Sequence, residues 1–243
     1  MPNKFIHEES HSMLKNVTTV YQPIYCMNSK EVWIYEALGR VKYENKVIMP
    51  NDFLPIFKSK GQYVDYSTRY MDMDNVFKLL NFDQNIKISI NVSMLDIDNV
   101  EWLLVFYNNC QNLVNKSRLW VELLETEYLQ KIKTLAFINK LKAIGVTIVL
   151  DDFGSGYSNL NYFVNYPIDI LKIDGSLIKN IKNSKVRNIL HFIDNISKDH
   201  RIKTVAEHIE TEEIFNEIQM YSIDFLQGFF LGKPKEITQT TKY

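Results

Sequence analysis

The stretch VTIVLDDFGSGYS (146–158) sets a β-branched apolar run directly before two adjacent carboxylates, Asp151 and Asp152, and the loop sequence Phe-Gly-Ser-Gly. The run has the composition of a strand, and the acids fall at its C-terminal end. The same order recurs outward in both directions: short apolar strand, polar strand end, helical segment. Upstream lie VTTVYQPIYC (17–26), EVWIYEALG (31–39), IKISINVS (86–93) and RLWVELLE (118–125). Downstream lie IDILKID (168–174), IKTVAEH (202–208) and DFLQG (224–228). Strands alternating with helices imply a mainly parallel sheet with helical crossovers. Eight such strands in 243 residues favour closure into a (β/α) barrel over an open doubly wound sheet. The first two runs are joined by only about five residues, too few for a parallel crossover, so they are expected to pair as an antiparallel hairpin.

Helical spacing fills most of the gaps. Tyr66, Tyr70, Met73, Phe77 and Leu80 predict an apolar stripe along one helix. Leu177, Ile181, Ile189, Ile193 and Ile196 predict another between the sixth and seventh strands. Asp96 and Asp98 are expected to begin a further helical stretch, and Thr211 to cap one more, with Glu212 and Glu213 in its first turn. Residues 1–16 are read as an N-terminal arm, 17–236 as the barrel domain and 237–243 as a C-terminal tail.

Composition narrows the class of function. Lysine and arginine number 28 against 29 acids, a formal charge of −1, so no basic stripe is available for a polymeric nucleic acid. Hydrophobic residues make up 46 % and charged residues 23 %, which suits a large core and argues against a disordered chain. Cys26 and Cys110 are too few for a disulfide framework or a zinc cluster. No apolar run approaches the ~18 residues of a membrane span. The opening MPNKFIHEESHSM lacks the apolar region of a signal peptide, so a cytoplasmic protein is expected.

The strand ends carry the functional signal. Glu36, Asn91, Glu122, Asp151, Lys172 with Asp174, Glu207 and Gln227 fall near the C-terminal ends of seven strands. In a (β/α) barrel that end is where sites are assembled. One strand-end acid alone is ordinarily a loop entry or helix cap. Acids from five strands meeting on one rim are electrostatically costly without a metal, because repulsion raises carboxyl pKa values unless a cation neutralises them. Oxygen ligands without a Cys/His cluster point to Mg²⁺, Mn²⁺ or Ca²⁺ rather than structural zinc. A carboxylate shared between two cations suits metal-assisted hydrolysis at phosphorus. The residues alone do not name the ester.

Tyr21-Gln22-Pro23-Ile24 followed by Tyr35-Glu36-Ala37-Leu38-Gly39-Arg40 resembles the opening of the EAL family of bacterial cyclic-di-GMP phosphodiesterases. Asn91-Val92-Ser93, Glu122-Leu123-Leu124-Glu125, the segment Asp151 to Ser158, Lys172-Ile173-Asp174 and Gln227-Gly228 follow in the family's order, covering about residues 17 to 234. The resemblance implies a modified triosephosphate-isomerase-type (β/α)8 barrel with one antiparallel strand near the N-terminus. It implies hydrolysis of one 3′–5′ phosphodiester bond of cyclic di-GMP to give linear pGpG. Glu36, Asn91, Glu122 and Asp151 would hold one divalent cation, Mg²⁺ or Mn²⁺. Asp151, Asp152 and Glu207 would hold a second, and Ca²⁺ would inhibit. Lys172, Glu36 and Asp151 would be catalytic, Lys172 by orienting the attacking water. Gln22, Leu38, Arg40 and Gln227 would face the substrate; Glu125, Asp174 and Glu210 would stand behind the ligands.

The resemblance also implies a homodimer through the helices after the fifth and sixth strands. Leu124 stands where the family usually has Thr, and His208-Ile209 where it has Gly-Val; Gly-Ser-Gly replaces Gly-Thr-Gly. Phe57-Lys58 and Leu38-Gly39-Arg40 are further departures. His208 is expected to turn its ring outward, with His191 and His200 as surface or packing residues. The altered positions motivate an alternative: a catalytically silent family member that acts as a cyclic-di-GMP receptor or through a protein partner.

Overall fold

Alternation along the strands builds the interior of the molecule layer by layer. The computed structural model describes residues 10–44, 46–71, 73–123, 131–155 and 159–237. Leu124, Glu125 and the end of the loop at Gly156, Tyr157 and Ser158 lie outside the described residues. Strands β1 (Val17–Cys26), β2 (Val32–Tyr43), β4 (Ile88–Val92), β5 (Leu119–Leu123), β6 (Thr147–Phe153), β7 (Ile170–Ile173), β8 (Lys203–Ala206) and β9 (Phe225–Leu226) close into an eight-stranded barrel; β3 (Lys46–Ile48) pairs outside it with β2. β1 runs antiparallel to both β2 and β9, while every other barrel pairing is parallel. The short connection after Cys26 forces that reversal: the chain turns back at once, with Lys30 N–H donating to the Cys26 carbonyl at 2.9 Å.

One inward layer is apolar. Ile24, Ile34, Trp120, Val149, Ile170, Val205 and Phe225 form a buried cluster separate from the main core. Side chains two residues apart share a strand face. A single step of two residues along each of those seven strands therefore reaches Gln22, Glu36, Glu122, Asp151, Lys172, Glu207 and Gln227. The apolar layer is the floor of a polar layer above it. The opposite strand faces carry Ile88, Ile90, Val121, Ile148, Leu150, Leu171 and Ile173 into the main core beneath the helices.

Three helical expectations need correction. The spacing from Tyr66 to Leu80 is divided between Tyr63–Met71 and Met73–Phe82; Tyr66, Phe77 and Leu80 are buried, and the side chains of Tyr70 and Met73 lie outside the description. The spacing from Leu177 to Ile196 is divided between Gly175–Lys179 and Ser184–His200. In the longer helix Leu190 and Ile193 face the core, and Ile189 faces outward. Leu177, Ile181 and Ile193 are buried as the stripe expects, while Leu190 takes the core position expected of its equally apolar neighbour Ile189. Asp96 does not begin a helix. It is the third residue of a capping box on Met94–Ile97, with Ser93 as the cap, and Asn99 caps the next helix, Val100–Asn112. Thr211 caps Glu212–Ile218 as its sequence position foretold.

At the N-terminal side, residues 10–15 are helical, and Met13 and Leu14 join the core. Among the described residues no helix is long and apolar enough to cross a membrane.

Candidate metal centre

The polar layer is organised around one lysine. Lys172, on β7, is 1 % exposed, and its Nζ lies 2.8 Å from Glu122, 2.8 Å from Glu207, 3.1 Å from Asp151 and 3.5 Å from Glu36. Four carboxylates from four strands thus meet one ammonium group. Glu36 also accepts from Gln227 Nε2 at 2.6 Å and from Asn91 Nδ2 at 3.0 Å. Ser89 Oγ donates to Glu122 Oε1. Ser89 was not singled out from sequence as a site residue. The available signal was its position two residues before Asn91, on the inward face.

Asp152 needs a special backbone to join this group, because neighbours on a regular strand point to opposite sides. The β6–β7 register shifts between Leu150 and Phe153, and Asp152 has a left-handed φ of 53°. This bulge re-aims the second carboxylate. Oxygens of Asp151, Asp152 and Glu207 consequently all lie within 4.8 Å of one another.

The electrostatics are unbalanced. Burial pushes the Glu122 carboxyl up to about 8, with the neighbouring Glu36 and Asp151 charges adding to the shift and Lys172 opposing it. Burial likewise raises Asp151, and raises Glu207 well above the usual carboxylate range, against the pull of Lys172. For Glu36, burial is outweighed by Lys172, Gln227 and Asn91, and its carboxyl is held below the usual range. Burial works against the Lys172 charge too, but the four surrounding carboxylates prevail and hold it well above an ordinary lysine. The ring has more negative charge than its lysine can neutralise, so protons must remain on it or cations must enter.

The donor set fits divalent cations. It consists of buried and half-buried carboxylate and amide oxygens, the chemistry of Mg²⁺ and Mn²⁺ sites. Gln227 Oε1 is buried and accepts no hydrogen bond, while Asp151 Oδ1 is met by the Lys172 ammonium at 3.1 Å. Unsatisfied acceptors of this kind are costly inside a protein. The free Gln227 carbonyl leaves a buried acceptor beside the carboxylate ring for a polar ligand.

The remaining expected positions surround this layer. Gln22 is buried opposite Glu36 in the β1–β2 register and donates to the Gly232 carbonyl at 3.2 Å. Arg40 is buried two residues beyond half-buried Leu38, with Nη1 donating to the Gly39 carbonyl at 2.7 Å. Asp174 does not enter the cluster: its side chain caps Gly175–Lys179 by accepting from Ser176 N–H at 2.9 Å. Glu210 lies outside as well, with Oε1 3.5 Å from His208 Nδ1. Gly228 allows the backbone after Gln227 to pass against Ile209, where a Cβ would fall 2.1 Å from the Ile209 carbonyl oxygen.

His208 turns away from the cluster. Its side chain is 50 % exposed, and its φ of 54° is the left-handed conformation that glycine adopts freely and histidine more often than most other residues. His191 packs against Tyr221, and His200 against Phe163.

The comparisons agree with this architecture. The EAL domain family matches residues 9–234. The cyclic di-GMP phosphodiesterase PdeA of Borreliella burgdorferi is 40 % identical over 119 residues, which are 48 % of this chain and 18 % of that protein. The cyclic di-GMP phosphodiesterase PdeF of Escherichia coli is 30 % identical over 217 residues, 85 % of this chain and 28 % of that protein. The chain therefore spans well under half the length of these two curated relatives. Among solved structures, the PaMucR phosphodiesterase in its c-di-GMP complex superposes with a TM-score of 0.86 at 27 % identity, covering 98 % of this chain and 100 % of that one. An EAL domain protein from Listeria monocytogenes has the same fold, with a TM-score of 0.82 at 24 % identity over 94 % of this chain and 93 % of that one. With its barrel, its strand-end acids and a match along nearly its whole length, the chain belongs to the EAL domain family.

Proposed function

We propose that this chain is a cyclic-di-GMP phosphodiesterase that opens one 3′–5′ phosphodiester bond to give linear pGpG. The observation that carries the reading is the convergence of Glu36, Glu122, Asp151 and Glu207 on Lys172, with Asp152 turned into the same cluster. Glu36, Asn91, Glu122 and Asp151 would hold one divalent cation, Mg²⁺ or Mn²⁺; Asp151, Asp152 and Glu207 would hold the other. Bound there, the pair would supply electrophilic activation of water and of the phosphate.

The chain's own groups do the rest. Lys172 carries three N–H donors on a buried stem, and it orients the attacking water while offsetting the charge of the carboxylates. Gln227 fixes Glu36 through its amide N–H and leaves its carbonyl for the water or the phosphate. The Arg40 guanidinium offers the planar donor fork suited to a phosphate. Gln22 and Leu38 would border a guanine. The apolar layer beneath excludes water from the far side, so the site opens only at the strand C-terminal ends. Ca²⁺, with its looser geometry, would occupy the site and slow turnover.

The reading includes a cytoplasmic location and a homodimer. Leu160 and Val164 after β6, and Ile189 and Phe192 after β7, are exposed apolar side chains on the helices expected to pair. A monomer in sedimentation at micromolar concentration would contradict the dimer. The activity is tested by incubating cyclic di-GMP with the protein and Mn²⁺ and separating products chromatographically, with Glu36→Ala as control. Conversion to pGpG that vanishes in the variant supports the reading. Tight nucleotide binding without product would show a receptor instead, and no binding would direct attention to protein partners.

A further inference from the structure

The short helix Gly175–Lys179 follows directly on the strand that carries Lys172, and both flanking metal-site loops rest on it. On one side stands the loop after Asp151 and Asp152. Asp174 N–H donates to the Phe153 carbonyl at 3.0 Å, and a Cβ on Gly154 would fall 2.4 Å from Leu177. On the other side stands the loop after β8, where His208 immediately follows Glu207. Its ring lies on Gly175, where a Cβ would fall 2.2 Å from His208 Cδ2, 2.4 Å from Cγ and 2.8 Å from Cβ.

The last of these distances matters most. Rotating the ring moves Cδ2, but the Cβ of His208 is fixed to the backbone, and that backbone already holds a φ of 54°. Any side chain at position 175 must therefore push the backbone of His208, and with it Glu207. The Glu207 carboxylate lies 2.8 Å from Lys172 Nζ and belongs to the cluster with Asp151 and Asp152. Gly175 does not need its missing side chain for conformation, since it lacks the positive φ found at Gly61, Gly145 and Gly154.

We infer that His208 and Gly175 are a matched pair of positioning residues: the ring filling the space above Gly175 fixes the loop that presents Glu207, and so sets the spacing of the Asp151–Asp152–Glu207 cation site. This rests on the proposed metal-dependent reading and adds a pair of residues that touch neither substrate nor cation. It also gives the histidine beside Glu207 a structural purpose.

The test is a double-mutant cycle read by Mn²⁺ binding, by calorimetry and by the electron paramagnetic resonance signal of unbound Mn²⁺. Gly175→Ala weakens one class of Mn²⁺ site by at least about tenfold, the scale of losing a residue that orients a metal ligand. Alanine is otherwise a better helix residue than glycine, so the loss would not come from helix propensity. His208→Gly falls between wild type and Gly175→Ala. The double variant recovers most of the affinity that Gly175→Ala loses. Wild-type affinity in Gly175→Ala overturns the inference, as does a double variant no better than Gly175→Ala.

If wild type takes up no Mn²⁺, the proposed function falls. The pairing is then read from unfolding midpoints of the metal-free protein, which drop in Gly175→Ala and recover in the double variant; equal midpoints overturn it. If Gly175→Ala does not fold, a folded double variant supports the pairing and an unfolded one overturns it.

Discussion

Two lysines stand at opposite ends of one barrel and meet opposite surroundings. Above the apolar layer, Lys172 is enclosed by four carboxylates, which hold its charge well above the ordinary lysine range. Below it, the Lys87 ammonium lies 3.1 Å from the centre of the Trp33 ring, with Lys203 5.7 Å from the same ring. Burial, reinforced by Lys203, moves Lys87 downward instead. Trp33 is 39 % exposed, so this lower end is a partly solvated cap of cations on aromatic faces. The difference lies in what the alternation delivers at each end. Upward, a step of two residues from the apolar layer meets acids on β2, β5, β6 and β8; downward on β8, it meets Lys203. One end accumulates a charge that calls for cations, and the other closes the barrel.

The largest test of that contrast removes the upper lysine. Lys172→Met leaves the buried carboxylates without their partner and should cost the metal-free protein about 3–5 kcal/mol in urea unfolding, the scale of breaking a buried ion pair. Divalent cations should restore part of that stability. A loss no larger than that of a surface lysine would show that the ring is not organised around Lys172.

Asp151→Asn removes the carboxylate's negative charge and one of its two oxygens where the two proposed cations would meet. Turnover should fall by at least about 100-fold, read as pGpG formed per chain at limiting Mn²⁺. Near-normal turnover would contradict the proposed bridging role of Asp151.

Acidity sharpens the contrast further. Without cations, the folded protein keeps a proton on Glu122 up to about 8, whereas the ordinary carboxyl releases it near 4.5. In that window the folded state binds more protons than the unfolded chain, so stability falls as pH rises. Asp151 and Glu207 act in the same direction, whereas Glu36, held below the ordinary carboxyl value, acts oppositely only at pH below that window. Melting of the metal-free protein should decline across this range, and Glu122→Gln should flatten the slope; a flat wild-type profile would contradict the uncompensated ring.

The smallest effect belongs to the lower end. Lys87→Met should change stability by no more than about 1 kcal/mol, the range of an exposed cation–π contact, and leave turnover unaltered. A tenfold change in turnover would show that the two ends are coupled and that the apolar layer does not insulate them.

Most of the barrel is legible because strand runs and inward alternation are local properties of the sequence. Val149 and Asp151, Ile170 and Lys172, or Val205 and Glu207 can be assigned to one face simply by counting. β3 escaped because three residues carry no period, and its pairing depends on the edge offered by β2. The bulge at Asp152 escaped for another reason. Two adjacent acids read the same whether the strand is regular or kinked, and only pairing with β7 reveals which. The phase of Ser184–His200 was ambiguous because Ile189 and Leu190 are equally apolar. The fit of His208 to Gly175 joins residues from different strand ends, so neither position announces it alone.

The upper ring, and not the lower end, is proposed to be a two-cation centre. Titrating Mn²⁺ into metal-free wild type, Asp151→Asn and Lys87→Met tests it most directly. Two cations should bind per chain in wild type and Lys87→Met, and fewer in Asp151→Asn, as a shared carboxylate requires. Fewer than two in wild type, or a count that follows Lys87 instead of Asp151, would contradict it.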